Sequence, residues 1–209
     1  MVAPLLHFSS QPNPTRTSFR ETALAHSEIE ARKVVLRRSL LLNRIAPLPS
    51  TNRRIVTTLT TLIYRSQARN VACVWPLPGE VDLRPLCRAL WRLGRQICLP
   101  ETPPRGQPLR FRRWYPGVSL RKGLFGTVYP AAPLCRPDLI LVPVVGFDRC
   151  GGRLGYGGGY YDRTLARYRD LPAIGYAQAS QEVTAVPADR HDQPLSCLVT
   201  EREVLHFPS

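Results

Sequence analysis

The sequence predicts an α/β fold built on a mostly parallel sheet, and three observations carry that prediction. From residue 70 onward short apolar runs alternate with amphipathic helical stretches, the pattern of strand–helix units on a parallel sheet. Residues 138–147 read DLILVPVVGF, apolar at successive positions, as a central strand buried on both faces requires. The chain has 209 residues and no internal repeat, enough for one core and too few for two large ones.

Taken in order, residues 1–20 carry no acid, two arginines (Arg16 and Arg20) and no helical period, and read as a mobile tail. In residues 21–46, Leu24, Ile29, Val34, Leu36, Leu40 and Leu41 recur at roughly helical spacing, interleaved with Arg32, Lys33, Arg37, Arg38 and Arg44. Pro47 and Pro49 end that helix, and a second fits residues 51–68. Residues 71–75 form a short strand ended by Pro76 and Gly79. Residues 81–93 place Leu83, Leu86, Leu90 and Leu93 on one helical face, closed by Gly94. Residues 96–99 give a strand, 138–147 the central strand, 160–169 a helix, and 173–177 and 198–200 two more strands.

Composition narrows the partners. Twenty-nine Lys+Arg against 15 Asp+Glu give a net charge of +14, and only Lys33 and Lys122 are lysines. Arginine forks match phosphate and carboxylate bidentately, so a polyanionic partner is expected: nucleic acid, a nucleotide, or a multiply charged small molecule. A solvated arginine-rich surface is the alternative. No apolar run is long enough to span a bilayer. The six cysteines include no Cys-x-x-Cys pair and mostly sit in apolar runs, so they read as free thiols in a reducing compartment.

The chemistry concentrates in one place. Six of the 14 glycines fall between Gly151 and Gly159, after the most hydrophobic strand and before a helix. Open parallel sheets bind ligands beyond the carboxyl ends of their strands. Glycines there let backbone N–H groups approach a phosphate, and the helix N-terminus adds a favourable dipole. Arg153 and Arg163 could supply charge, and Asp162 could hold a divalent ion. A flexible hairpin is the alternative. No Walker A sequence, no G-x-G-x-x-G, no G-x-S-x-G elbow and no histidine pair at metal-ligand spacing is present.

The segment Arg153-Leu-Gly-Tyr-Gly-Gly-Gly-Tyr-Tyr-Asp162, preceded by Leu141-Val-Pro-Val-Val-Gly-Phe-Asp148, resembles the signature of the 5-formyltetrahydrofolate cyclo-ligase family, also called methenyltetrahydrofolate synthetases. Weaker motifs follow in the same order. They are Lys33-Val-Val-Leu-Arg37, Trp75-Pro-Leu-Pro-Gly-Glu80, Gly94-Arg-Gln-Ile-Cys-Leu-Pro100, Leu109 through Gly126, His191-Asp192 and Val199-Thr-Glu201. The resemblance spans about residues 28–207. Tyr156 stands where many members have Arg, and Tyr129-Pro130 where Glu-Pro is usual.

The resemblance implies a Rossmann-like three-layer α/β/α sandwich of the CoA-transferase type, with residues 21–209 as one cyclo-ligase domain. It implies an enzyme that uses ATP and Mg²⁺ to convert 5-formyltetrahydrofolate, polyglutamylated or not, into 5,10-methenyltetrahydrofolate, releasing ADP and phosphate. Lys33 and Arg37, one helical turn apart, would face the ATP phosphates. Arg153, Leu154, Gly155, Tyr156, Gly157, Gly158, Gly159, Tyr160 and Tyr161 would cradle ATP, with Arg153 and Tyr160 catalytic. Trp75, Glu80, Tyr156, Gly157, Gly158, Gly159 and Tyr160 would meet the folate, and Asp162 with Asp192 would hold Mg²⁺. A monomer in the cytoplasm is expected, or in an organelle if residues 1–20 are a cleaved transit peptide. Two other readings stay open: a basic nucleic-acid-binding protein, and a family member that binds folate without turning it over.

Overall fold

A computed structural model describes residues 14–189, 192–193 and 195–207, with side chains from residue 26 onward. Most of the expected tail (residues 1–13) and His191 lie outside the described residues.

A seven-stranded sheet runs in the order β11-β10-β9-β6-β1-β2-β3. Its strands are β1 (Asn70–Ala72), β2 (Gln96–Glu101), β3 (Arg110–Trp114), β6 (Leu139–Pro143), β9 (Ala173–Tyr176), β10 (Cys197–Val199) and β11 (Val204–His206). The five central strands are parallel, and β3 and β11 close the two edges antiparallel. Two small ribbons pair β4 (Leu120–Lys122) with β5 (Val128–Pro130), and β7 (Gly146–Phe147) with β8 (Arg153–Leu154).

Alternation along the strands makes two apolar layers. Val71, Ile97, Leu99, Leu139, Leu141, Ile174, Tyr176 and Val199 point to one face, where helices α2 (Pro49–Ser66) and α3 (Arg84–Arg92) pack. Ala72, Cys98, Ile140, Val142 and Leu198 point to the other, toward helix α4 (Tyr160–Arg167) through Leu165. Helix α2 starts at Pro49, whose missing N–H costs nothing in a first turn, and ends on Gln67 in the left-handed conformation (φ 59°). It buries Ile55, Leu59 and Ile63 completely, each worth about 1.5–3 kcal/mol.

The structure refines the predicted elements at identifiable residues. The expected strand 138–147 breaks after Pro143, which has no N–H to donate. Val144 N–H still reaches Tyr176 O (3.2 Å), but Val145 N–H turns to Leu154 O (2.8 Å), so the chain leaves the sheet and forms the β7–β8 ribbon. The third helix starts only at Arg84, whose N–H donates to the Asp82 carboxylate (2.9 Å). The first helix, α1 (Pro14–Leu42), begins earlier and ends sooner than the leucine spacing suggests. Two of the six cysteines, Cys98 on β2 and Cys135 beyond β5, lie side by side with α-carbons 6.5 Å apart, while Cys73, Cys87, Cys150 and Cys197 are free. Spacing along the chain could not show this, because the two residues meet through the β2–β3 pairing and the Cys135 N–H bond to Phe111 O (2.9 Å).

Candidate active site

The loops that leave the carboxyl ends of β1 and β6 face the C-terminal part of α1, which is pinned across them. Arg37 Nε donates to Gly155 O (2.8 Å), and Leu40 lies against Gly146 so closely that a β-carbon there would come within 2.5 Å of it. Just past the helix, Gln178 Nε2 donates to Ile45 O (2.8 Å) from the loop after β9. Gln181 Nε2 holds Val144 O and Val145 O (2.7 and 2.9 Å) where the chain quits the central strand.

The glycine-rich segment is a strand, a turn and a helix start, as its sequence suggests. Asp148 anchors its entry: this buried carboxylate accepts N–H bonds from Cys150 (2.9 Å), Gly152 (2.8 Å) and Val186 (2.8 Å). Gly157 has φ +86°, and a β-carbon there would sit 2.9 Å from the Arg37 guanidinium, so a glycine is needed both for the backbone turn and for the arginine. Gly159, at φ +64°, opens α4. Leu154 is a core residue, 2% exposed, so its contribution to any ligand is confined to its backbone.

The structure groups the expected site residues into pairs. Lys33 is only 4% exposed, and its Nζ meets Asp192 Oδ2 (2.8 Å), Asp192 Oδ1 (3.0 Å), Asp189 Oδ2 (3.1 Å) and Glu30 Oε1 (3.3 Å). Burial alone would lower its pKa. The carboxylates, Asp192 first, outweigh it and raise the ammonium above its ordinary value. Arg153, largely buried, donates from Nε to Gln193 O (3.1 Å) and from Nη2 to Asp162 Oδ1, which also accepts Gln193 N–H (3.3 Å). Glu80 Oε2 accepts Leu77 N–H (2.7 Å), and its Oε1 accepts the Tyr156 hydroxyl. Burial first, and then the negative Glu80, push the Tyr156 phenol above its usual range, so it stays protonated and donates. Tyr160 donates to Pro103 O (2.9 Å), with its ring beside Arg163 and Phe125 (centroid distances 5.2 and 6.2 Å). Tyr161 is held protonated by burial and by Glu80. Trp75 packs on Trp114 at 6.1 Å, at the edge of the core.

A cleft of about 500 Å³ opens beside Glu80 and Gly79, between the start of α2 and the β1–α3 loop. Pro47, Pro49, Val56 and Pro85 give it apolar walls, and Arg53 gives it a cation. Two residues near the site carry no mark in the sequence. Arg44 donates to Tyr156, and Tyr176 is buried with a hydroxyl that has no hydrogen-bond partner among the described residues. Arg44 looks like any other arginine on a basic helix, and Tyr176 like a core aromatic. A hydroxyl at the carboxyl end of a central strand was the one available signal.

This arrangement defines an α/β protein whose glycine-rich loop lies at the C-terminal edge of a parallel sheet, where such sheets bind ligands. The comparisons make the class specific. The chain belongs to the 5-formyltetrahydrofolate cyclo-ligase family, whose model matches residues 29–201. It is 34% identical over 143 residues to the 5-formyltetrahydrofolate cyclo-ligase of Haemophilus influenzae, covering 64% of this chain and 76% of that one. With the Escherichia coli K12 enzyme of the same name it is 37% identical over 147 residues, covering 66% and 80%. The solution structure of Aquifex aeolicus 5,10-methenyltetrahydrofolate synthetase superposes with a TM-score of 0.72 at 32% identity, covering 85% of this chain and 93% of that one. A Mycoplasma pneumoniae synthetase superposes at 0.66 with 23% identity, a likeness of fold.

Proposed function

We infer that the protein is a 5-formyltetrahydrofolate cyclo-ligase, forming 5,10-methenyltetrahydrofolate from 5-formyltetrahydrofolate. The single observation that carries this is the family match across residues 29–201, which spans both the glycine-rich loop and the α1 cations. The family is ATP-dependent, and the chemistry explains why. The formyl oxygen is amide-like and a poor leaving group. Transfer of the γ-phosphoryl group onto it releases ADP, N10 then attacks the activated carbon and loses its proton, and the oxygen departs with phosphate. The protein's work is positioning and charge stabilisation.

The site supports a division of labour. Arg37 lies beside the open backbone at Gly155, where a β-carbon would meet nothing within 4 Å, and would receive phosphate together with the loop N–H groups and Tyr161. Arg153 would orient the loop through Asp162, and Tyr160 would border the folate. Glu80 and the loop glycines would hold the formyl-bearing ring, with Trp75 behind it and Tyr156 reaching it through Glu80. Lys33, surrounded by acids, would fix α1 to the Asp189–Asp192 turn and set Arg37 one helical turn on.

The donor set fits a Mg²⁺ ion at Asp162. Arg153 and Gln193 hold Oδ1 and leave Oδ2 without a hydrogen bond among the described residues. Mg²⁺ takes one or two carboxylates and completes its shell with phosphate oxygens, so Asp162 would need no further acidic partner. Both Asp192 oxygens meet Lys33, so Asp192 would act on that ion only if Lys33 moved. When bound, Mg²⁺ would neutralise phosphate charge. Asp162→Ala should keep the fold and abolish turnover, read as near-ultraviolet absorbance of the methenyl product; an active variant removes the metal assignment. Among the described residues no helix is long and apolar enough to cross a membrane. We place the protein in the cytoplasm as a monomer, which sizing chromatography and mass spectrometry of the native N-terminus would test.

A further inference from the structure

Three segments far apart in sequence meet at Glu80. Arg44, just past α1, donates from Nη1 to the Tyr156 hydroxyl (2.7 Å), and its guanidinium lies 5.5 Å from the centre of the Tyr156 ring. Tyr156, on the glycine-rich loop, donates its hydroxyl to Glu80 Oε1, while Leu77 N–H fixes Oε2 at 2.7 Å. The Arg44 stem crosses the turn so closely that a β-carbon on Gly79, at φ +80°, would come within 3.2 Å of its Cδ. Arg44 Nε and Nη2 keep no hydrogen-bond partner among the described residues. Glu80 itself borders the apolar cleft.

We propose that Arg44 and Tyr156 are positioning residues for folate binding, holding the Glu80 carboxylate in one orientation at the mouth of the cleft. A carboxylate on a partly exposed turn would otherwise sample several rotamers, and ordering it at each binding event would cost affinity. Here one oxygen is fixed by its own turn and the other by a hydroxyl that is in turn oriented by an arginine. The same contacts join the α1 end, the β1–α3 loop and the glycine-rich loop, so the folate wall and the nucleotide wall would share them. This inference rests on the reading that Glu80 meets the folate.

The test is steady-state kinetics on the full chain, varying 5-formyltetrahydrofolate at saturating ATP and then ATP at saturating folate. Glu80→Gln should lose more than about a hundredfold in kcat/KM for the folate. Tyr156→Phe and Arg44→Gln should each lose about tenfold, the size of one charge-assisted hydrogen bond. KM for ATP should stay within about twofold, and Arg44→Lys should recover part of the loss. In the Glu80→Ala background, which removes the acceptor, Tyr156→Phe should cost less than about twofold more, because its effect runs through Glu80. If Glu80→Gln is impaired while Tyr156→Phe and Arg44→Gln behave as wild type, or if the losses simply multiply in the double variant, positioning is wrong and the Glu80 reading stands. If Glu80→Gln is itself fully active, both fall.

Discussion

Helices α1 and α2 are neighbours in sequence and opposites in how they are held. Helix α2 is attached by an apolar stripe, with Ile55, Leu59 and Ile63 fully buried. The C-terminal part of α1 leaves Val34, Val35 and Leu42 largely exposed and is attached by polar contacts, through Lys33 to acids and through Arg37 to a loop carbonyl. Apolar burial is non-directional and stabilises wherever it occurs. Charge-assisted bonds are directional and place particular atoms. Helix α2 therefore holds the fold together, whereas the contacts of α1 fix the positions of the loops beside it.

Substitutions can break that comparison. The largest effect is expected at Lys33. Removing it as Lys33→Ala leaves Asp189 and Asp192 facing each other, at a cost of about 3–5 kcal/mol in denaturant unfolding. Its pH dependence has a definite sign. The folded-state pKa is raised above 10.5, so the contribution is complete below that pH and fades as pH rises through the folded value. The wild type should therefore lose stability in strong alkali by an increment that Lys33→Met lacks. Next comes Leu59→Ala on α2, expected to cost about 3 kcal/mol and to leave the rate per folded molecule unchanged. Arg37→Ala should do the reverse, with about a tenfold rise in KM for ATP and a melting temperature within about 3 °C of wild type. The smallest effect belongs to Val35→Ser, an exposed apolar position on α1, which should move stability by no more than about 0.5 kcal/mol.

The same contrast explains what was legible in the sequence. Apolar periodicity marks α2, α3 and the central strands because burial leaves a repeating trace, and the glycine run marks the loop because backbone turns need glycine at fixed places. The antiparallel strand β3, reading RFRRW, was not legible. As an edge strand it sends Phe111 and Trp114 to opposite layers, with Arg112 and Arg113 between them, and leaves no continuous apolar run. Lys33 and Arg37 were legible as a pair one turn apart. That Lys33 turns inward to Asp189 and Asp192, more than 150 residues away, was not, because pairing across the fold leaves no local pattern. Arg44 was hidden for the same reason. The charge excess divides likewise: residues 1–69 hold eleven basic and three acidic side chains, of which Lys33, Arg37 and Arg44 hydrogen-bond to the loops of the site and Arg53 lines the cleft.

On the proposed function, one site at the edge of the sheet couples a nucleotide to a folate. The most direct measurement follows ADP and the methenyl product together in a single reaction of the wild-type protein. One ADP is expected for each 5,10-methenyltetrahydrofolate formed, with neither appearing when either substrate is left out. ADP released without folate, or methenyl product formed without ATP, would contradict it.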